Sequence, residues 1–134
     1  LSIDNSINVY SAHRSPELVA EHLKACEEGG TKVFIAMAGL AAHLAGAVAS
    51  KTVKPVIGVP GDGGPLQGFD SLLSTVQMPK GVPVATVAIG SAGAVNSAIL
   101  AAQMISLSSP EVEQSLKKQR EDSVKSIEQI NKDL

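Results

Sequence analysis

Three stretches of this chain are apolar almost without a break: Val33-Phe34-Ile35-Ala36-Met37-Ala38, Val56-Ile57-Gly58-Val59 and Val84-Ala85-Thr86-Val87-Ala88-Ile89. A strand with one wet face alternates apolar and polar residues, whereas a strand covered on both faces has no need to. Each run is of strand length and stops at Gly39, Pro60 or Gly90, residues that punctuate regular structure. Together they demand a parallel sheet with helices on both sides. The intervening segments supply those helices: Gly39 to Lys51 is rich in alanine and small residues and suits close packing, Phe69 to Val76 follows, and Ala94 to Leu107 comes last.

The N-terminal quarter continues the alternation. Leu1 to Ser6 reads as a helix end or turn around Asp4-Asn5-Ser6, and Ile7 to Tyr10 as a short strand. Leu18, Val19, His22, Leu23 and Cys26 recur at helical spacing between Pro16 and Glu28, with Ser15 placed to cap the start and Gly29-Gly30 to stop the end. Strands and helices thus alternate from Ile7 to Leu107, the pattern of a doubly wound α/β fold. Gly61 to Gly68 holds four glycines and a proline, so it is a loop and a lid candidate. Ser109-Pro110-Glu111 repeats the Ser15-Pro16-Glu17 helix start, and residues 110–134 are dense in charge with a thin stripe of Val112, Leu116, Val124, Ile127 and Ile130. This divides the chain into an α/β domain, 1–109, and a helical arm, 110–134, suited to packing on a neighbour.

Charge limits the partners. Eleven basic and thirteen acidic residues leave a net −2, which gives no bulk attraction for nucleic acid or an anionic membrane. No apolar run reaches the roughly 18 residues that span a bilayer. Cys26 has no cysteine partner and reads as a small buried hydrophobe, fitting a reducing, cytoplasmic setting. Between Val33 and Ser109 the only charged residues are Lys51, Lys54, Asp62, Asp70 and Lys80, too few to solvate a free monomer and best explained by an oligomer. No Cys or His pair has metal-ligand spacing, Gly90-x-x-Gly93 is a poor dinucleotide fingerprint, and no Gly-x-Ser-x-Gly elbow occurs. A structural zinc site and NAD binding therefore have no support.

Chemistry concentrates in two loops. Ser11-Ala12-His13-Arg14-Ser15-Pro16 places an imidazole and a guanidinium at a strand-to-helix junction, where open α/β sheets bind ligands. Imidazole exchanges protons near neutrality and guanidinium forks onto phosphate or carboxylate, so the pair suits proton transfer on an anionic substrate. His43 lies in Ala38-Gly39-Leu40-Ala41-Ala42-His43-Leu44-Ala45-Gly46, again after a strand. Either backbone satisfies it within a tight junction, or it meets a ligand that the small residues let approach. His22, mid-helix, reads as a packed or interface residue.

Five ordered motifs now carry a resemblance: Ser11 to Glu17, Ala38 to Gly46, Pro55 to Pro60, Asp70 to Pro79 and Pro83 to Gly90. Together they resemble the PurE family of purine biosynthesis, with the N5-carboxyaminoimidazole ribonucleotide mutase form fitting the pattern. The resemblance implies a flavodoxin-like three-layer α/β/α subunit, a homo-octamer and a C-terminal helix packed across subunits. It also implies an isomerase that needs no cofactor. A carboxyl group leaves the exocyclic nitrogen of a ribonucleotide as carbon dioxide and is recaptured at C4 of the imidazole, with His13 moving the proton. Ser11, Ala12 and Arg14 would contact the substrate, Arg14 at its phosphate, while Ala38, Gly39, Ala41, His43 and Leu44 would line the pocket for carbon dioxide or carboxylate. Two alternatives stand beside this: direct carboxylation of aminoimidazole ribonucleotide by carbon dioxide, and a non-catalytic assembly or binding module.

The sequence departs from the family in three places. Ala45 replaces a proline after His43-Leu44, and Gly61 to Gly68 is richer in glycine. The family's Gly-Ser-x-Ser-Asp loop, which follows its first strand and binds ribose and phosphate, has no counterpart. By the family's strand order, 2-1-3-4-5, the first strand lies between Ile7–Tyr10 and Val33–Ala38. Its absence is expected to leave two unpaired strand edges and weak ribose-phosphate binding, so the expectation is a fragment, or an N-terminal segment supplied from elsewhere.

Overall fold

A computed structural model describes all residues, 1–134. The elements in order are α1 (Pro16–Glu28), β1 (Phe34–Ala38), α2 (Leu44–Ala49), β2 (Val56–Pro60), α3 (Phe69–Val76), β3 (Ala85–Thr86), α4 (Gly90–Ser106) and α5 (Pro110–Asp133). The three strands form one parallel sheet in the order β1-β2-β3. Phe34 pairs with Val56 and Ala38 with Pro60, so β1 and β2 match along their whole length.

The apolar runs become a parallel sheet with helices on both sides, an α/β flavodoxin-like fold, in which β2 is buried on both faces. Gly58 of β2 faces Ala45 of α2 and Thr75 of α3 on one side, while Val59 next to it meets Gly93 of α4 on the other. The core on the first side gathers Val19 and Leu23 of α1, Ala36 of β1, Ala45 and Val48 of α2 and Val56 of β2. On the second side Ile57 and Val59 are completely enclosed. Burying a side chain of that size is worth roughly 1.5–3 kcal/mol.

Several boundaries differ from expectation, each for a local reason. Ile7–Tyr10 does not form a strand: no neighbouring strand offers it hydrogen bonds, and Ile7 and Val9 are 91% and 95% exposed. Leu1–Ser6 is irregular as well. β1 has a strand neighbour only on its β2 side, and Ile35 and Met37 are half-exposed. β3 spans two residues rather than six, because the chain leaves the ladder after one more bond, Val87 N–H to Gly58 O at 3.1 Å, and enters α4 at Gly90. A side chain at Gly93 would strike the Ala88 carbonyl, so its glycine lets α4 begin four residues earlier than the composition suggests and lie tight against that turn.

The chain divides into two compact units, Ser6–Ala101 and Leu1–Asn5 with Ala102–Leu134. The first holds the sheet. The second is dominated by α5, a 24-residue helix with no buried residue. Its ion pairs, Lys117 with Glu113 and Lys125 with Asp122, are exposed and worth at most about 1 kcal/mol each. Val124, Ile127 and Ile130 stay open along one side. No helix is long and apolar enough to cross a membrane.

Candidate active site

The segment before α1 is held by its own turn. Ser11 O accepts hydrogen bonds from Ser15 N–H at 2.8 Å and from the Ser15 hydroxyl at 3.0 Å. The Ser15 hydroxyl therefore turns back to Ser11 and does not cap α1; Pro16 alone marks the start. Ser11 Oγ in turn accepts from Arg14 N–H at 3.2 Å and Arg14 Nε–H at 3.3 Å. His13 is left at an exposed tip, and the Arg14 side chain is folded onto Ser11, with no carboxylate paired to its guanidinium. Ala12 is half-buried.

The second loop, Gly39 to His43, leaves the carboxyl end of β1 and is held by the sheet. Ala38 O accepts Gly61 N–H at 2.8 Å, which fastens the end of β1 to the end of β2. That approach needs glycine: a side chain at Gly61 would stand 3.1 Å from Gly39 Cα. Leu40 then takes a left-handed conformation at φ 55°, uncommon for a residue with a side chain. Ala42 is buried, and its N–H donates to Ser74 Oγ of α3 at 3.0 Å. His43 N–H closes a tight turn onto Ala41 O at 2.8 Å, and His43 O accepts Ala47 N–H at 2.9 Å as α2 begins. Gly39, Ala41 and His43 are exposed. Leu44 is half-buried and packs against the core.

The two loops meet through their histidines. His13 Nε2 and His43 Nδ1 are hydrogen-bonded, with ring centroids 4.6 Å apart and planes at 74°. In such a contact one nitrogen carries the proton and the other receives it, so the rings choose their tautomers together. His43 thus spends its side chain on His13, the point that spacing left open. Two imidazoles able to pass a proton, on loops one of which also carries a guanidinium without a carboxylate partner, suit acid and base work on an anion. No three His, Cys, Asp or Glu side chains gather where they could hold a metal.

Hydroxyls on α3 had been assigned no role. Ser71 is fully buried and its hydroxyl lies 2.5 Å from Gly61 O and 2.9 Å from Gly68 O, closing the base of the glycine-rich loop. Ser74 reaches the other loop. Their signal is visible in hindsight as Ser71, Ser74 and Thr75 on one helix directly after that loop. Elsewhere, His22 is packed as expected, its ring 4.9 Å from that of Tyr10. Cys26 is only half-buried, not the enclosed hydrophobe foreseen, because its Sγ turns to His22 Nε2 at 3.3 Å.

Residues 1–126 match the family model described as AIR carboxylase. A protein of Pyrococcus abyssi (strain GE5 / Orsay) is 52% identical over 120 residues, covering 90% of this chain and 68% of its own length. One of Bacillus subtilis (strain 168) is 49% identical over 127 residues, 95% of this chain and 78% of its own. One of Escherichia coli (strain K12) is 49% identical over 116 residues, 87% and 69% respectively. All three bear the name N5-carboxyaminoimidazole ribonucleotide mutase.

Proposed function

Since the chain belongs to the AIR carboxylase family, the PurE family that its motifs resemble, we propose that it acts in purine biosynthesis, interconverting N5-carboxyaminoimidazole ribonucleotide and 4-carboxy-5-aminoimidazole ribonucleotide. The observation that carries this reading is the His13–His43 contact, with Arg14, whose guanidinium has no carboxylate partner, next to His13 in the chain. His13 gives a proton to the exocyclic nitrogen as its bond to the carboxyl carbon breaks, releasing carbon dioxide and an amine. C4 of the ring then attacks carbon dioxide, and the proton left on C4 returns to His13 as aromaticity is restored. One proton moves from carbon to nitrogen and none is gained or lost, which is why an imidazole that both gives and takes suffices. His43 holds the ring of His13 in the required tautomer. Arg14 and Ser11 with Ala12 engage the anionic ribonucleotide, while Ala38, Gly39, Ala41, His43 and Leu44 border the space where carbon dioxide is retained, shielded from escape by desolvation.

In this reading the protein works in the cytoplasm as a homo-octamer, with residues 1–109 as the α/β domain and 110–134 packed on a neighbouring subunit. The open stripe of Val124, Ile127 and Ile130 supports that packing. The test is turnover of 13C-carboxyl-labelled N5-carboxyaminoimidazole ribonucleotide followed by NMR, with aminoimidazole ribonucleotide plus bicarbonate as the competing substrate. Transfer of label to C4 from the first supports a mutase; turnover of the second alone makes it a direct carboxylase. A non-catalytic assembly module is favoured by one observation, the single strand neighbour of β1. Folded chain that neither turns over nor binds aminoimidazole ribonucleotide in calorimetry would select it.

A further inference from the structure

We infer that Ser74, on α3, is a positioning residue for the site: through Ala42 it sets where His43 stands, and through His43 it orients His13. The Ala42 N–H falls after the end of β1 and before the start of α2, so neither ladder nor helix supplies it with an acceptor. Ala42 is 1% exposed, so water does not supply one either. The acceptor is Ser74 Oγ at 3.0 Å, on a helix 32 residues further along the chain.

The geometry of the hydroxyl separates this role from ordinary helix back-bonding. A serine inside a helix commonly donates to the carbonyl four residues before it and leaves its lone pairs to solvent. Ser74 does donate that way, to Asp70 O at 2.8 Å. Its oxygen also accepts the Ala42 N–H from the loop, a bond that back-bonding does not require. Leu40 O lies only 3.4 Å away, so the same hydroxyl marks both sides of the left-handed turn at Leu40. His43 follows Ala42 directly, and its ring is the one that touches His13. The path from α3 to the proton-carrying pair is therefore three residues long and made of hydrogen bonds and one peptide unit.

The kinetic part of this inference rests on the mutase reading; the geometric part does not, and the experiment reads them separately. The full chain is prepared with 13C-labelled histidine as Ser74→Ala, Ser74→Thr and Ser74→Cys. The nuclear Overhauser contact between the rings of His13 and His43 is followed, with His22 as an internal reference because it packs on Tyr10 and Cys26 of a different region. Ser74→Ala is expected to remove the contact and leave the His22 signals in place, while Ser74→Thr, which keeps the hydroxyl, restores it. Where the mutase assay is active, kcat falls about tenfold or more with KM changed less than about threefold, since a displaced catalytic group costs turnover more than binding. Ser74→Cys keeps the volume but offers a weak acceptor, so it reads the same bond should the alanine variant fail to fold. A preserved ring contact in the alanine or cysteine variant, or an equal disturbance of His22, overturns the positioning role. Loss of the contact in a chain that has no turnover at all would retain the positioning and dismiss the mutase.

Discussion

The loop that carries His13 and the loop that carries His43 look alike in sequence, each a histidine among small residues at a strand-to-helix junction, yet they are held in opposite ways. The His43 loop is tied to three other elements: β2 through Gly61 N–H, α3 through Ser74, and α2 through its own first carbonyl. The His13 loop is tied to itself, with every hydrogen bond around Ser11 made to Arg14 or Ser15. Beyond that turn its link to the other loop is the imidazole contact. One half of the site is thus part of the sheet, and the other is a self-held turn registered against it. Changes in the first half should cost stability as well as chemistry; changes in the second should cost chemistry alone.

The largest expected effect is on chemistry in the self-held half. His13→Asn removes the proton carrier while keeping a polar side chain of similar size at an exposed tip. Turnover of N5-carboxyaminoimidazole ribonucleotide should fall by about 10²–10⁴, the usual share of general acid–base catalysis. The unfolding midpoint in urea should stay within the change of about 0.5 kcal/mol typical of surface substitutions. A large loss of stability would erase the contrast between the loops.

Next comes the sheet beneath the fixed half. Ile57 is completely enclosed in the middle of β2, so Ile57→Ala should cost about 2–5 kcal/mol in urea unfolding. Val9→Ser, at a residue 95% exposed in the other half, should change stability by less than about 0.5 kcal/mol. Comparable losses at both positions would mean that Ile7–Tyr10 is packed in solution as the strand its pattern suggests.

This pair also shows where residue patterns inform and where they stop. The helices Pro16–Glu28 and Phe69–Val76 follow from local spacing and punctuation and form where that spacing places them. Apolar runs announced strands, but a strand covered on both faces needs neighbours, and pattern alone does not deliver them; only β2 is buried throughout. Hence Val56–Pro60 is enclosed on both faces, Ile35 and Met37 of β1 are half-open, and Ile7–Tyr10 forms no strand. In the site, His13 and His43 each stood out by residue type and place. Their meeting across 30 residues, and the role of Ser74 beneath them, depend on how α3 lies over the end of β1, which no local pattern encodes.

A smaller effect separates the two ways of anchoring a loop. The Ser71 hydroxyl, with one proton to give, lies nearest Gly61 O in a place closed to water, while Gly68 O also receives Leu72 N–H. Ser71→Ala takes that donor from the buried Gly61 carbonyl and should cost about 1–3 kcal/mol. Thermal unfolding would read that loss, and limited proteolysis should cut first between Gly61 and Gly68. Unchanged stability would mean that the sheet end is fastened by Gly61 N–H alone.

The smallest effect belongs to Ser11, whose oxygen serves a comparable number of donors in the exposed turn. Water replaces those bonds when Ser11→Ala removes the hydroxyl, so stability should fall by less than about 1 kcal/mol. What changes is the guanidinium of Arg14, which loses its contact with Ser11 and samples more rotamers. In the mutase assay KM should rise about threefold, on the order of half a hydrogen bond's worth of preorganisation, with kcat nearly constant. A fall in kcat comparable with that of His13→Asn would show that Ser11 holds the imidazole rather than the anion-binding arm, and would make the self-held loop as tightly built as its partner.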